Sequence, residues 1–310
     1  MTTQDVQLNS GSFIQFDINV GCGKSLSAFN VVLESSTASG QIGSWGQVTT
    51  LCIPYTSCTT WLATGESRYD LSDLNGQWRR IVIPLSASPQ IRFRWRSVRS
   101  NTAEWAVTNI HIGDGCSQGC GGHGYCISST CVCDSGFSPS NGTCVVSSPI
   151  VTEFRETFDS LNASNWINLS GVSITSSPCG VLAYGNAAYV SGSYPRRMIT
   201  ADINTTSANV LNFYMLLGTS SGSPCYGPNS GLSDGIVIGY STNGGISYKT
   251  FPTNGMVAPG TYTSPTEVTL FLPADSKTPA TRFIFWQPSF TAGYPGYGEY
   301  WVSLVLCFRF

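Results

Sequence analysis

Cys116-x3-Cys120-x5-Cys126-x4-Cys131-x-Cys133-x10-Cys144 holds six of the chain's twelve cysteines, with Gly136-Phe137 inside the last interval. A stretch this short cannot bury enough apolar surface to fold unaided, so covalent loops must cut the entropy of its unfolded state. Six cysteines allow fifteen pairings in principle. The rival is a zinc site built from Cys131-x-Cys133 thiolates and His123, but the paired Cys-x2-Cys spacing of zinc knuckles is missing. The cysteines are therefore read as structural.

Outward from this stretch, composition narrows the choices. The chain has 310 residues, room for two or three domains. Only 10% are charged, while Gly, Ser, Thr and aromatics abound, which suits many short strands and turns. With a net charge of −2 and no basic run beyond Arg79-Arg80 and Arg196-Arg197, nucleic acid is excluded as a partner. No stretch is apolar for long enough to span a membrane. Disulfide-type cysteine usage implies an oxidising, secreted location. The sequons at Asn141, Asn162, Asn168 and Asn204 offer glycan acceptors consistent with it. Met1-Thr-Thr-Gln-Asp-Val begins no signal peptide, so the chain reads as a piece of a longer precursor.

Residues 1–115 carry strand signals. Ile91-Arg-Phe-Arg-Trp-Arg96 alternates, placing Phe93 and Trp95 on one face and three arginines on the other. Trp78–Pro84 and Trp105–Ile112 read as further strands, bounded by turn residues at Asn75-Gly76, Ser88-Pro89, Asn101 and Gly113. Residues 150–310 repeat the plan. Ile14-Gln-Phe-Asp-Ile-Asn-Val corresponds to Leu211-Asn-Phe-Tyr-Met-Leu-Leu217, Arg92-Phe-Arg-Trp95 to Arg282-Phe-Ile-Phe-Trp286, and Trp105-Ala-Val to Trp301-Val-Ser. Two homologous β domains flank the cysteine-rich stretch, and the first is shorter at its front by roughly forty residues. Cys179 and Cys225 make a natural pair, and Cys52 can close a small loop with Cys58. The counterpart of Cys225 is Cys22, whose partner would lie in the absent front, and Cys307 is left over.

The central spacing resembles an EGF-like module, which implies the pairs Cys116–Cys126, Cys120–Cys131 and Cys133–Cys144. The whole arrangement resembles one reelin repeat: subrepeat A (1–115, truncated at its start), an EGF-like module (116–145) and subrepeat B (150–310). The marks are Arg92-Phe-Arg-Trp-Arg96, Trp105-Ala-Val-Thr-Asn-Ile110, Gly113-Asp-Gly-Cys116, Gly122-His-Gly-Tyr-Cys126, Asn165-Trp166, Asp234-Gly-Ile-Val-Ile-Gly-Tyr-Ser-Thr-Asn-Gly-Gly245 and Arg282-Phe-Ile-Phe-Trp-Gln-Pro288. The resemblance implies an all-β fold of two jelly-roll-type antiparallel sandwiches in a secreted matrix glycoprotein. Its partners would be neighbouring repeats, with lipoprotein-type receptors engaged through surface lysines of particular repeats. Only Lys24, Lys249 and Lys277 occur here, so receptor binding is not carried over to this chain.

Ser241-Thr-Asn-Gly-Gly-Ile-Ser-Tyr248 resembles an Asp box, the hairpin of reelin subrepeats and sialidases, with Asn243 for the Asp and Tyr248 for the Trp. Ser241, Asn243, Gly245 and Tyr248 are expected to hold a turn. A sialidase needs several boxes and an arginine cluster, and one box is read here. The resemblance also implies a structural calcium with Glu156, Asp159 and Asp202 as ligands, and no other cofactor. The acids that usually end such subrepeats are missing after Val107 and Val302. No catalytic residue is assigned: a serine hydrolase needs His111 or His123 beside a serine, and no Gly-x-Ser-x-Gly elbow occurs. A carbohydrate-binding role is the alternative, resting on Tyr294, Tyr297 and Tyr300 in a turn-rich loop. The reading is a non-catalytic spacer and interaction module.

Overall fold

The computed structural model describes residues 1–20, 30–52, 69–70, 78–98, 105–117, 119–148, 150–152, 154–159, 161–176, 185–190, 196–217, 235–257, 261–262, 264–287 and 300–309. The chain divides into two compact units, Met1–Pro149 and Ile150–Phe310. The cysteine-rich stretch lies within the first of these units.

In the first unit, β1 (Val6–Leu8), β2 (Phe13–Val20), β3 (Asn30–Ser36), β4 (Gly46–Cys52), β5 (Tyr69–Asp70), β6 (Trp78–Pro84), β7 (Ser88–Val98) and β8 (Trp105–Gly113) build two sheets. One runs β1-β7-β3-β4-β5, the other β6-β2-β8. Their pairs are antiparallel except β4–β5, which is parallel. Ser88-Pro89, expected as a turn, opens β7 instead. Proline is tolerated at a strand start because its missing N–H breaks no interior ladder.

Strand alternation fixes what lies inside. From β2, Ile14, Phe16 and Ile18 point into the core with Val31 and Leu33 of β3, Ile81 and Ile83 of β6, and Phe93 and Trp95 of β7. Phe16 meets Trp95 edge to face at 5.3 Å. Large side chains this deeply buried each contribute about 1.5–3 kcal/mol. The opposite phase of β7 carries the arginines: Arg94 and Arg96 both donate to the buried carboxylate of Glu34 on β3, at 2.6 and 2.8 Å. The cysteine-rich stretch adds β9 (Gly124–Ile127), β10 (Thr130–Cys133), β11 (Phe137–Ser140) and β12 (Thr143–Val146), paired β9–β10 and β11–β12.

The second unit contains β13 (Trp166–Ser170), β14 (Val172–Thr175), β15 (Ala187–Val190), β16 (Arg196–Thr200), β17 (Val210–Leu217), β18 (Ile236–Ser241), β19 (Lys249–Thr250), β20 (Met256–Val257), β21 (Thr266–Phe271), β22 (Arg282–Gln287) and β23 (Tyr300–Arg309). One sheet runs β13-β16-β22-β18-β19 with β20 also on β18, and the other β14-β15-β23-β17-β21. Between them lies a core that includes Phe213, Phe283, Phe285 and Trp166.

The two units share more than strand order. β2 lies between β6 and β8 as β17 lies between β21 and β23, and the pairing of each central strand slips at one place: between Gln15 and Asp17, and between Asn212 and Tyr214. A bulge at equivalent positions marks the duplication in the backbone itself.

Hydrogen bonds from Arg96, then Arg94, hold Glu34 at about 2, against 4.5 for a free carboxyl. A carboxyl lowered on folding contributes stability above pH 4.5, and that contribution is lost as pH falls from there through about 2. Glu34→Gln is expected to cost about 2 kcal/mol at pH 7, discounted because Arg96 is half exposed. It should also flatten the acid limb of stability between pH 4.5 and 2. Thermal unfolding across that range checks this; an unchanged pH slope refutes it.

Candidate functional site

The outward face of β2 is polar and yet buried. Gln15 is 1% and Asp17 4% exposed, because β9 of the cysteine-rich stretch lies over them. Gln15 Nε2 donates to the Gly124 carbonyl at 3.0 Å, while the Cys126 N–H donates to Gln15 Oε1 at 3.1 Å. One side-chain amide thus serves β9 with both a donor and an acceptor, as a neighbouring strand would. Asp17 accepts from the Tyr125 hydroxyl at 3.0 Å and from Asn109 Nδ2 at 2.7 Å. Asn109 reaches it from the β8 bulge, where its φ is 52°.

Beside them on β6, Arg80 binds Asp134 in a two-pronged bridge, 2.9 and 3.0 Å, and its guanidinium lies 3.8 Å from the centroid of the Tyr125 ring. Burial and the bond to Arg80 act oppositely on the Tyr125 phenol, and burial prevails, raising its pKa. Gly119, with φ 60°, packs where any Cβ would lie 2.7 Å from Val82 of β6. Only glycine allows that approach.

Within the module the bridges are Cys116–Cys126, Cys120–Cys131 and Cys133–Cys144. Cys116, Cys120 and Cys131 bring their sulfurs within 4.8 Å of one another, but as members of two adjacent disulfides. Thiolate ligands for zinc are consumed by these bonds. His123 is buried and stacked on Phe137 at 4.0 Å. His111 packs on Phe13, and its buried Nε2 has no hydrogen-bond partner. Burial lowers its pKa.

The Asp-box-like turn closes β18 onto β19. Ser241 Oγ accepts from the Gly245 N–H at 2.9 Å, and Asn243 Oδ1 accepts from the Ser247 N–H at 3.1 Å. Gly245, at φ 84°, would place a Cβ 3.0 Å from the Tyr248 hydroxyl. Arg282 donates to the Gly244 carbonyl and grips Asp202 with two nitrogens, at 2.6 and 2.9 Å.

A second turn of this kind, which the reading of a single box passes over, stands in the first unit. Ser36 Oγ accepts from the N–H groups of Ala38 and Gly40, at 3.2 and 3.1 Å, and a Cβ on Gly40 would come 2.9 Å from Trp45. Asp5 takes Arg92 Nε at 2.8 Å, as Asp202 takes Arg282. The Thr3 hydroxyl accepts from the Phe93 N–H at 3.0 Å, as the Thr200 hydroxyl does from Phe283 at 2.9 Å. The signal was Ser-Thr-x-x-Gly, shared by Ser36–Gly40 and Ser241–Gly245, and Thr-x-Asp, shared by Thr3–Asp5 and Thr200–Asp202. Two residues inserted before Trp45 hide it.

The three carboxylates expected to share a calcium do not converge among the described residues, whose one group of potential metal ligands is the cysteine set. Asp202 is held by Arg282. Glu156, buried, accepts from the Phe158 N–H at 3.0 Å and from Trp166 Nε1 at 3.1 Å, tying together the corner where both rings pack. Asp159 accepts from the Asn186 N–H. These acids are committed to separate structural tasks, and a single ion drawing on all three does not fit them.

Of the glycan acceptors, Asn141 and Asn162 are exposed, Asn204 is half-buried, and Asn168 is half-buried with Arg197 Nε donating to its side chain at 3.2 Å. Cys22, Cys58, Cys179, Cys225, Tyr294 and Tyr297 lie outside the described residues, as do the side chains of Cys52, Tyr300 and Cys307.

Residues 1–113 and 171–301 match the family model of Reelin subrepeat B. The chain belongs to the reelin subrepeat B family. The subrepeat B model matches both halves, including the first, expected from its motifs to be a subrepeat A. Among solved structures, this reelin-type chain is similar to the K2 cleaved adhesin domain of Lys-gingipain, with 16% identity and a TM-score of 0.33 over 51% of this chain and 100% of that one. It is also similar to the CBM22-1-CBM22-2 tandem domain of Paenibacillus barcinonensis Xyn10C, with 11% identity and a TM-score of 0.32 over 98% and 81%. A third likeness is to CBM28, a carbohydrate-binding module specific for non-crystalline cellulose, with 13% identity and a TM-score of 0.29 over 51% and 92%.

Arg282, with its two-pronged bond to a shielded Asp202, should matter more than the more exposed Arg92–Asp5 pair. Arg282→Lys is expected to cost about 2 kcal/mol, since lysine cannot reproduce the fork and leaves the Gly244 carbonyl short of a donor. Arg92→Lys should cost about 0.5 kcal/mol. Denaturant unfolding of each variant checks the order; equal costs would refute it.

Proposed function

We propose that the chain is a non-catalytic extracellular module, a rigid spacer and protein-interaction surface within a reelin-like array of sandwiches and EGF-like modules. The observation that carries this reading is the buried polar interface between β2 and β9. Gln15, Asp17 and Arg80 are spent on fixing a disulfide-bonded module against a sheet, so the first unit behaves as one body. A chain of such bodies transmits position along an array, and binding is distributed over their surfaces. The two histidines fit this reading, each packed against an aromatic ring, His111 on Phe13 and His123 on Phe137.

An A-type first subrepeat, matrix location and neighbouring repeats as partners belong to the same proposal. So does glycan attachment at Asn141 and Asn162, the two acceptors whose side chains face solvent. The test is expression of the chain behind an added secretion signal, followed by non-reducing peptide mass spectrometry of the medium. The expected result is secreted protein with Cys116–Cys126, Cys120–Cys131 and Cys133–Cys144 intact, glycans on Asn141 and Asn162, and Asn168 bare. Retention in the cell with these six cysteines reduced would overturn the extracellular reading.

A further inference from the structure

Superposing the two units strand for strand exposes an asymmetry. In the first, the outward residues of β2 and β6 (Gln15, Asp17, Arg80 and Val82) are covered by the EGF-like module. Register places Asn212, Tyr214, Glu267 and Thr269 at the equivalent points of β17 and β21: Gln15 pairs with Val82 as Asn212 pairs with Thr269, and Asp17 with Arg80 as Tyr214 with Glu267. In the second unit the β21 side of this face is open, although Leu216, further along β17 in the same phase, is buried. Tyr214 is 42% exposed and Phe271, next outward on β21, is 77% exposed, while Glu267 and Thr269 are exposed too. The Asn212 amide oxygen, at the position where Gln15 clamps β9, is buried and has no hydrogen-bond partner.

We propose that the outward face of β17 and β21 is the docking site for a second EGF-like module, one that presents a lysine or arginine where this chain's module presents Asp134. Charge fixes that requirement. In the first unit the sheet offers a cation, Arg80, and the module answers with Asp134. In the second unit the sheet offers an anion, Glu267, in the same place, with the Tyr214 hydroxyl 3.5 Å from its carboxylate. Asp17, which accepted from the module's Tyr125, is replaced by a phenol that can itself donate. The face is thus complementary to a module of reversed polarity and would repel a copy of the resident one. Phe271 on the edge strand β21 and Tyr214 beside it on β17, rimmed by polar groups, are the surface such a contact buries.

Access agrees with the charge. The module follows the first sandwich from Gly113, the β8 residue paired with Phe13, and the β23 residue paired with the equivalent Val210 is Arg309. A module joined there would start from the same corner of its sheet.

This inference rests on the modular reading and narrows it to a partner class. The experiment is a graft: the full chain extended after Phe310 by a second copy of residues 114–148, either native or carrying Asp134→Arg, with the graft's three disulfides mapped before use. Where the graft oxidises wrongly, the same sequence, oxidised and mapped as a separate peptide, is added in trans. Amide exchange along β21 is read in each case. The Asp134→Arg graft should slow exchange about tenfold or more relative to the native graft. Glu267→Lys in the host should reverse the preference. Equal protection by both grafts, or none by either, would overturn the proposal while leaving secretion and the resident disulfides, and hence the modular reading, untouched.

Discussion

Period-two alternation of β2 sends Ile14, Phe16 and Ile18 inward and Gln15 and Asp17 outward, and the outward pair is compatible with burial only because a second structure supplies their partners. Leaving a buried amide or carboxylate unsatisfied costs about 1–3 kcal/mol, and more for the charge. The disulfide-bonded module is therefore the other half of the sheet's polar face. The module gains equally. Its few residues bury little apolar surface, and the disulfides that limit its unfolded ensemble do not orient it. Orientation comes from Gln15 reading the β9 backbone, from Asp17 holding Tyr125, and from Arg80 bridging to Asp134.

Duplication shows which ties the sandwich needs and which are particular to a docked module. Both units keep Thr-x-Asp against Arg-Phe, a serine-centred turn closed by a glycine beneath an aromatic ring, and a bulge at one point of the central strand. These knit the sheet of β7 or β22 to the segment entering it and owe nothing to the module. What differs is the outward face of the central strand, polar and covered at Gln15 and Asp17 in one unit, and exposed at Tyr214 in the other.

Much of this was legible in the residues. Cysteine spacing foretold the three bridges by resemblance, and the alternation in Ile91–Arg96 foretold which side of β7 faces the core. Correspondence between the halves foretold the shared strand order. What stayed hidden depends on contacts between residues distant in sequence. Asp202 reads as a metal ligand until Arg282, eighty positions away, is seen to occupy both of its oxygens. Glu156 likewise reads as a metal ligand until the Phe158 N–H and Trp166 Nε1 are seen to hold it. The turn at Ser36–Trp45 escaped because its insertion breaks the motif's length while its hydrogen bonds survive. The union of module and first sandwich rests on Gln15, Asp17 and Arg80, each of which looks like a solvated residue in one dimension.

The most direct test of that union is a double-mutant cycle between Arg80 and Asp134 in the whole chain, using Arg80→Met, Asp134→Ala and the pair, with unfolding of the first unit followed in denaturant. A two-pronged bridge from a mostly buried guanidinium to a half-exposed carboxylate across a fixed interface predicts a coupling of about 1 kcal/mol. Costs that simply add would mean the module hangs loose from the sheet, contradicting the account.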